Sequence, residues 1–149
     1  MNHHFYMDLA LAEARKALAA GEVPIGAVIV EQGKILAQAH NLKEQLHDPT
    51  AHAEILAIRR AAEKRGSWRL TGCTLYVTVE PCPMCAGAIV QSRIERLVYG
   101  VADLKAGAVE SIVNLVQNKY LNHYVEVFAG IREEECKNIM REFFESKRN

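Results

Sequence analysis

His52, standing two residues ahead of Glu54, and the pair Cys82 and Cys85 within Pro81-Cys82-Pro83-Met84-Cys85 are residue types that can do metal chemistry. An imidazole nitrogen and two thiolates are borderline-to-soft donors that suit zinc. No fourth Cys or His stands at a comparable spacing to either motif. A catalytic zinc site differs from a structural one in this way, holding three protein ligands and leaving the fourth position to water. Two thiolates and a neutral imidazole roughly cancel the double charge, yet leave enough Lewis acidity to lower the pKa of a bound water. Glu54 is the fourth functional group. Two residues beyond His52 on the first turn of a helix, its carboxylate can reach that water rather than the metal and act as a proton shuttle.

Each motif alone has a plainer explanation. A lone Cys-x-x-Cys is as often a structural zinc clip or a redox pair, and His-Ala-Glu at a helix start is usually surface. Together they carry more weight, because their order, Pro81 before the first Cys, the gap and the intervening strand fit one arrangement. Pro81 and the absence of the usual flanking pattern disfavour a thioredoxin-like pair. A non-catalytic zinc module stays open, and Glu54 discriminates against it: a structural site gains nothing from a carboxylate aimed at an open position.

These groups need elements to position them. The 149 residues, 50% of them hydrophobic, make a single domain over 1–149 with enough apolar material for a sizeable core. Met7, Leu11, Ala14 and Leu18 recur at helical spacing up to Gly21. Residues 25–31 and 34–40 read as a β-hairpin around Gln32-Gly33. After a polar loop over 42–49, Thr50 is a candidate N-cap for a helix over 51–65 that bears His52 and Glu54. A buried strand over 70–80 delivers the chain to Pro81, and Pro83 suits the first turn of a helix running to about Ser92, with both cysteines at its N-terminus. A strand over 96–99, a loop over 100–107, a helix over 108–116, a strand over 124–129 and a last helix from near Ile131 complete the chain. In that last helix Cys136, Ile139, Met140, Phe143 and Phe144 form the apolar face. The order predicts an α/β fold, a three-layer α/β/α sandwich with a five-stranded mixed sheet. The two helix N-termini that carry the ligands then lie side by side at one edge of the sheet.

Charge sets a further bound. With 18 basic and 18 acidic residues and a pI near 7.0, binding to nucleic acid through bulk charge is disfavoured, and such a partner would need a local basic patch. No stretch approaches transmembrane length and residues 1–8 lack the pattern of a leader, so a cytoplasmic location is expected. Cys73 in a strand and Cys136 on a helix stripe read as buried, reduced core residues.

The pattern His-x-Glu followed by Pro-Cys-x-x-Cys resembles the signature of the zinc deaminases. Nearly the whole chain is similar to the bacterial tRNA-specific adenosine deaminases, within the cytidine/deoxycytidylate deaminase superfamily. The resemblance runs through Gly21-Glu22-Val23-Pro24-Ile25-Gly26-Ala27-Val28, His40-Asn41, Asp48-Pro49-Thr50-Ala51-His52-Ala53-Glu54, residues 72–80, Cys85-Ala86-Gly87-Ala88-Ile89, Leu121-Asn122-His123 and Phe143-Phe144. Cytidine and guanine deaminases share the metal motifs; the Glu-Val-Pro segment and the C-terminal pattern point to the tRNA branch.

The resemblance implies a cytidine-deaminase-like fold, one zinc per chain on His52, Cys82 and Cys85, and catalysis by Glu54. It implies hydrolysis of adenosine to inosine at the wobble position of an arginine tRNA anticodon, with release of ammonia, by a homodimer. Asn41 would hydrogen-bond the flipped base or its ribose, Ala53 would offer its backbone N–H to the purine edge, and Pro24, Ile25 and Val28 would wall the base. Asp103 would contact the ribose, and Phe144 and Arg148 would meet the anticodon loop by stacking and phosphate pairing. Two positions depart from the pattern: Leu104 stands where Pro usually follows the Asp, and Glu110 where Gly usually precedes the Ser. A second enzymatic reading, a deaminase of a free purine base or nucleoside such as guanine, needs the same metal site and no nucleic-acid surface.

Overall fold

The computed structural model describes residues 2–147. Its elements are α1 (His3–Ala19), β1 (Gly26–Glu31), β2 (Lys34–His40), α2 (Ala53–Arg65), β3 (Cys73–Val79), α3 (Pro83–Gln91), β4 (Arg96–Val101), β5 (Glu126–Ala129) and α4 (Glu133–Lys147). The hairpin forms as expected. Gln32 and Gly33 both take positive φ, 46° and 78°, which matches the twist of the strands they join, and Glu31 pairs with Lys34.

One mixed sheet runs in the order β2-β1-β3-β4-β5. β1 is antiparallel to both β2 and β3, whereas β3, β4 and β5 run parallel. Strand alternation divides the core into two layers. Ala27, Ile29, Leu75, Val77, Leu97 and Tyr99 face Leu56 and Ala57 of α2 and Ile89 of α3. Val28, Val30, Tyr76 and Val98 face the other way, onto Met7, Ala10 and Ala14 of α1 and Cys136 and Ile139 of α4. Every residue of β3 is buried, as its place in the centre of the sheet and the hydrophobic run require. Close approach of α1 to β1 depends on Gly26, since a Cβ there would lie 1.9 Å from the Ala10 carbonyl oxygen. Among the described residues no helix is long and apolar enough to cross a membrane.

Three expectations are corrected. The segment 108–116 forms turns instead of a helix. Its backbone donors are taken elsewhere: Val109, Glu110 and Ser111 give their N–H groups to the Glu80 carboxylate, Ala108 donates to the Pro81 carbonyl, and Leu115 donates back to Ala108. The apolar residues Ala108, Val109 and Val116 that suggested a helix are buried, but in the core against α3 and β4. α2 begins two residues later than expected, with His52 at the N-cap position, because Thr50 directs its N–H and hydroxyl to Asp48 at 2.8 and 2.7 Å. On α4, Cys136, Ile139 and Phe143 are buried as predicted, but Phe144 is 50% exposed and belongs to the surface.

Candidate active site

The site lies where β2 and β3 hand the chain to α2 and α3. His52, with extended backbone (φ −76°, ψ 151°), caps α2 by position. Cys82 caps α3 in the same way (φ −75°, ψ 174°), Pro83 supplies the preset first turn, and Cys85 is buried one turn in. The His52 Nδ1 lies 3.7 Å from Cys82 Sγ and 3.5 Å from Cys85 Sγ, and all three donor atoms fall within 4.8 Å of one another. Two helix N-termini thus converge on one imidazole and two cysteines, and the helix dipoles favour the thiolate form in which the cysteines bind metals.

A helix N-terminus leaves amides without partners, and a His at the cap cannot ordinarily satisfy them. Here Asn41, from the end of β2, takes over that task. Its Oδ1 accepts the N–H of Ala53, the first residue of α2, at 2.7 Å, and both residues are buried. The imidazole of His52 makes no capping bond and is free to face the cysteines. β2 is itself held there by His40, whose Nδ1 meets the buried Glu13 carboxylate of α1 at 2.9 Å.

The electrostatics separate the roles. A hydrogen bond from the Cys85 thiol, reinforced by His52, pulls the Cys82 thiol down to about 4 against the effect of burial. The same bond, with burial, pushes the Cys85 thiol up. His52 is raised, chiefly by its hydrogen bond with Cys82. Glu54, 3% exposed, is pushed up to about 7 by burial, and its Oε1 has no hydrogen-bond partner among the described residues. A buried carboxylate oxygen without a partner is costly unless the site holds something for it to meet. Two sulfurs and one nitrogen clustered beside an orphaned carboxyl oxygen fit a zinc ion with an open position for water.

The structure places the other expected residues as follows. Asn41 and Val23 border a small cavity of about 140 Å³ that also reaches Lys43, Phe143 and Lys147. Pro24 is buried and Ile25 half-buried at the entry to β1. Val28 is not brought to the site: it is 0% exposed on the sheet face that packs against α1, opposite the face that carries α2 and α3. The Ala53 N–H is occupied by Asn41. Asp103 is half-buried, with Oδ1 accepting from the N–H groups of Lys105 and Ala106. Phe144 lines an open depression of about 640 Å³ with Lys105, Arg141, Glu145 and Lys147. Arg148 lies outside the described residues.

Glu110, one of the two departures, needs no glycine-like backbone: it is not among the residues with positive φ, and its N–H is taken by the Glu80 carboxylate. Leu104, the other, is 78% exposed beside Asp103. Sequence reasoning missed the capping by Asn41 and the part played by Glu80. The signal for Glu80 was an acidic residue closing an apolar strand directly before Pro81.

Comparison with known proteins agrees with this geometry. The family model of the MafB19-like deaminases matches residues 1–148. A tRNA-specific adenosine deaminase from Bacillus subtilis (strain 168) is 52% identical over 143 residues, covering 96% of this chain and 89% of that protein. One from Aquifex aeolicus (strain VF5) is 45% identical over 149 residues, covering 100% of this chain and 98% of that protein. A structure solved in a study of A-to-I editing by tRNA:A34 deaminases at the wobble position superposes with a TM-score of 0.88 at 50% identity, covering 91% of this chain and 98% of that one. With a deaminase-type cluster at two helix N-termini and these relatives along its whole length, the chain belongs to the tRNA-specific adenosine deaminase family.

Proposed function

We propose that this chain hydrolyses the wobble adenosine of a tRNA anticodon to inosine, with an arginine tRNA as the substrate that the family resemblance implies. The observation that carries the chemistry is Glu54, buried and with an unpartnered oxygen beside His52, Cys82 and Cys85. A zinc ion held by those three side chains would supply Lewis acidity and lower the pKa of water at the open position. Glu54, raised to about 7, is matched to both halves of a proton transfer at neutral pH. It takes a proton from the attacking water, delivers it to a ring nitrogen of the base, and carries a further proton to the leaving ammonia as C6 loses its amine.

The flipped base enters between the α2 N-terminus and the residues at the end of β2. Asn41 Nδ2 is left to hydrogen-bond base or ribose, since its Oδ1 already holds Ala53. Asp103 faces the ribose from the opposite loop. The surface at α4 suits single-stranded RNA: Phe144 is an exposed stacking ring, and the two depressions it lines carry Lys105, Lys137, Arg141 and Lys147 beside Asp103, Glu133 and Glu145. The basic side chains there would meet the phosphates of the anticodon loop. The family resemblance also implies a phosphate contact for Arg148. Homodimerisation and a cytoplasmic location belong to the same reading; exposed Ile112, Val113, Tyr120, Leu121 and Tyr124 offer apolar surface for the former.

The test is inosine formation on an anticodon stem-loop, measured beside free adenosine and free guanine. Turnover of the stem-loop alone supports the proposal. Turnover of guanine without the stem-loop would replace it with a free-base deaminase.

A further inference from the structure

Glu80 is a charged side chain buried to 2% exposure, and the chemistry above gives it no task. It follows β3 and precedes Pro81-Cys82, so its backbone leads directly into a metal-ligand turn. Its Oε1 accepts the Asp103 N–H at 3.0 Å and the Ser111 hydroxyl. Its Oε2 accepts the N–H groups of Val109, Glu110 and Ser111 at 3.1, 2.8 and 3.0 Å. All five donors belong to the loop 103–111, and none comes from elsewhere among the described residues. The same loop is tied once more to the turn, through Ala108 N–H on the Pro81 carbonyl at 2.8 Å. Gly107 makes room for the arrangement, because a Cβ there would lie 2.4 Å from the Glu80 carboxyl carbon.

Burying a carboxylate is costly unless hydrogen bonds replace its water, and five donors do that here. The bonds fix a geometry as well. One end of the loop carries Asp103 and Lys105; the anchor is two residues from Cys82.

We infer that Glu80 is a positioning residue for the deamination reaction: it sets the substrate-side loop, and Asp103 at its head, at a fixed distance from the Cys82 turn. The inference rests on the proposed tRNA reading, which gives Asp103 its substrate contact. A carboxylate is required, since every facing group donates. Glutamine would turn an amide N–H₂ toward those donors and leave some of them unpaired. Aspartate would keep the charge but fall one methylene short.

The test compares zinc-loaded parent, Glu80→Gln, Ser111→Ala, Asp103→Ala and the double variants of Asp103→Ala with each of the other two, on an anticodon stem-loop. Displacing a substrate contact by about 1 Å costs on the order of 100-fold, so Glu80→Gln should keep one zinc per chain and lose roughly 10- to 100-fold in kcat/KM. Ser111→Ala, which removes one donor only, should fall between it and the parent. The decisive readout is coupling: if Glu80 acts through Asp103, each double variant is little worse than its poorer single. Multiplicative losses, or loss of zinc in Glu80→Gln, would overturn the inference and leave Glu80 as general scaffold. Where Glu80→Gln does not fold, the Ser111 cycle decides in the same way. A parent that leaves the stem-loop unedited fails the tRNA reading itself, whatever the variants do.

Discussion

Replacing Glu54 by Gln should make this protein more stable and nearly inactive, and the pH at which the stability gain appears identifies the cause. The shape of the side chain is kept and only the ionisable group is lost. Burial raises the carboxyl from 4.5 to about 7, which at about 1.4 kcal/mol per pH unit corresponds to roughly 3 kcal/mol. The sign follows from linkage. Below 4.5 the group is protonated in both folded and unfolded chains and contributes nothing. Between 4.5 and about 7 the unfolded chain gives up its proton first, so stability falls as pH rises, and above about 7 the penalty is complete. In metal-stripped protein, urea unfolding of parent and Glu54→Gln should therefore coincide near pH 4 and diverge to roughly 3 kcal/mol in favour of the variant at pH 8. His52 and Cys85 are both raised in part by the Glu54 charge, so their response to its removal is included in that difference. With zinc restored, the variant should keep the metal and lose about two to four orders of magnitude in turnover. A stability difference that does not change with pH would show that the carboxylate is not desolvated and that its pKa is not raised.

Cys85→Ala should abolish zinc binding and activity together, checked by metal analysis per chain; full occupancy in that variant would remove Cys85 from the ligand set. Asn41→Ala should cost about 1–3 kcal/mol by leaving the buried Ala53 N–H unpaired, whereas Asn41→Asp, which keeps an acceptor, should recover most of the stability without the activity. Thermal unfolding beside stem-loop turnover separates the two losses. Replacing Arg141 and Lys147 by Ala should weaken stem-loop binding and flatten its dependence on log salt by about 0.7 for each phosphate that is no longer neutralised. Phe144→Ala should weaken the same binding at little cost in stability, because the ring is already 50% exposed.

The clustering of His52, Cys82 and Cys85 and the sheet were legible in the sequence because both rest on local signals. Ligand types at fixed spacing, a proline at the first turn of α3, and alternating runs bounded by Gln32-Gly33 and Gly21 each act over a few residues. What the sequence hid depends on partners far apart in the chain. The apolar pattern of 108–116 suggested a helix, yet its amides are claimed by Glu80, about thirty residues earlier, and no local propensity records that competition. Asn41 likewise caps a helix that begins twelve residues later. Val28 and Phe144 show the limit of reading faces from periodicity. A strand's alternation says that Val28 and Ala27 point opposite ways, but only the stacking of α1 and α2 on opposite faces says which of them faces α2. On α4 the adjacent rings divide, Phe143 into the core and Phe144 to the surface, where a single stripe had included both.

The proposed reaction is deamination of an anticodon adenosine at the cluster between the two helix N-termini. It is tested most directly by ammonia release and inosine content measured on stem-loop, free adenosine and free guanine, with zinc-loaded and chelator-treated protein side by side. Inosine in the stem-loop alone, lost on chelation and restored by zinc, is the expected result. Stem-loop editing that survives complete removal of metal, or deamination confined to guanine, would contradict the account.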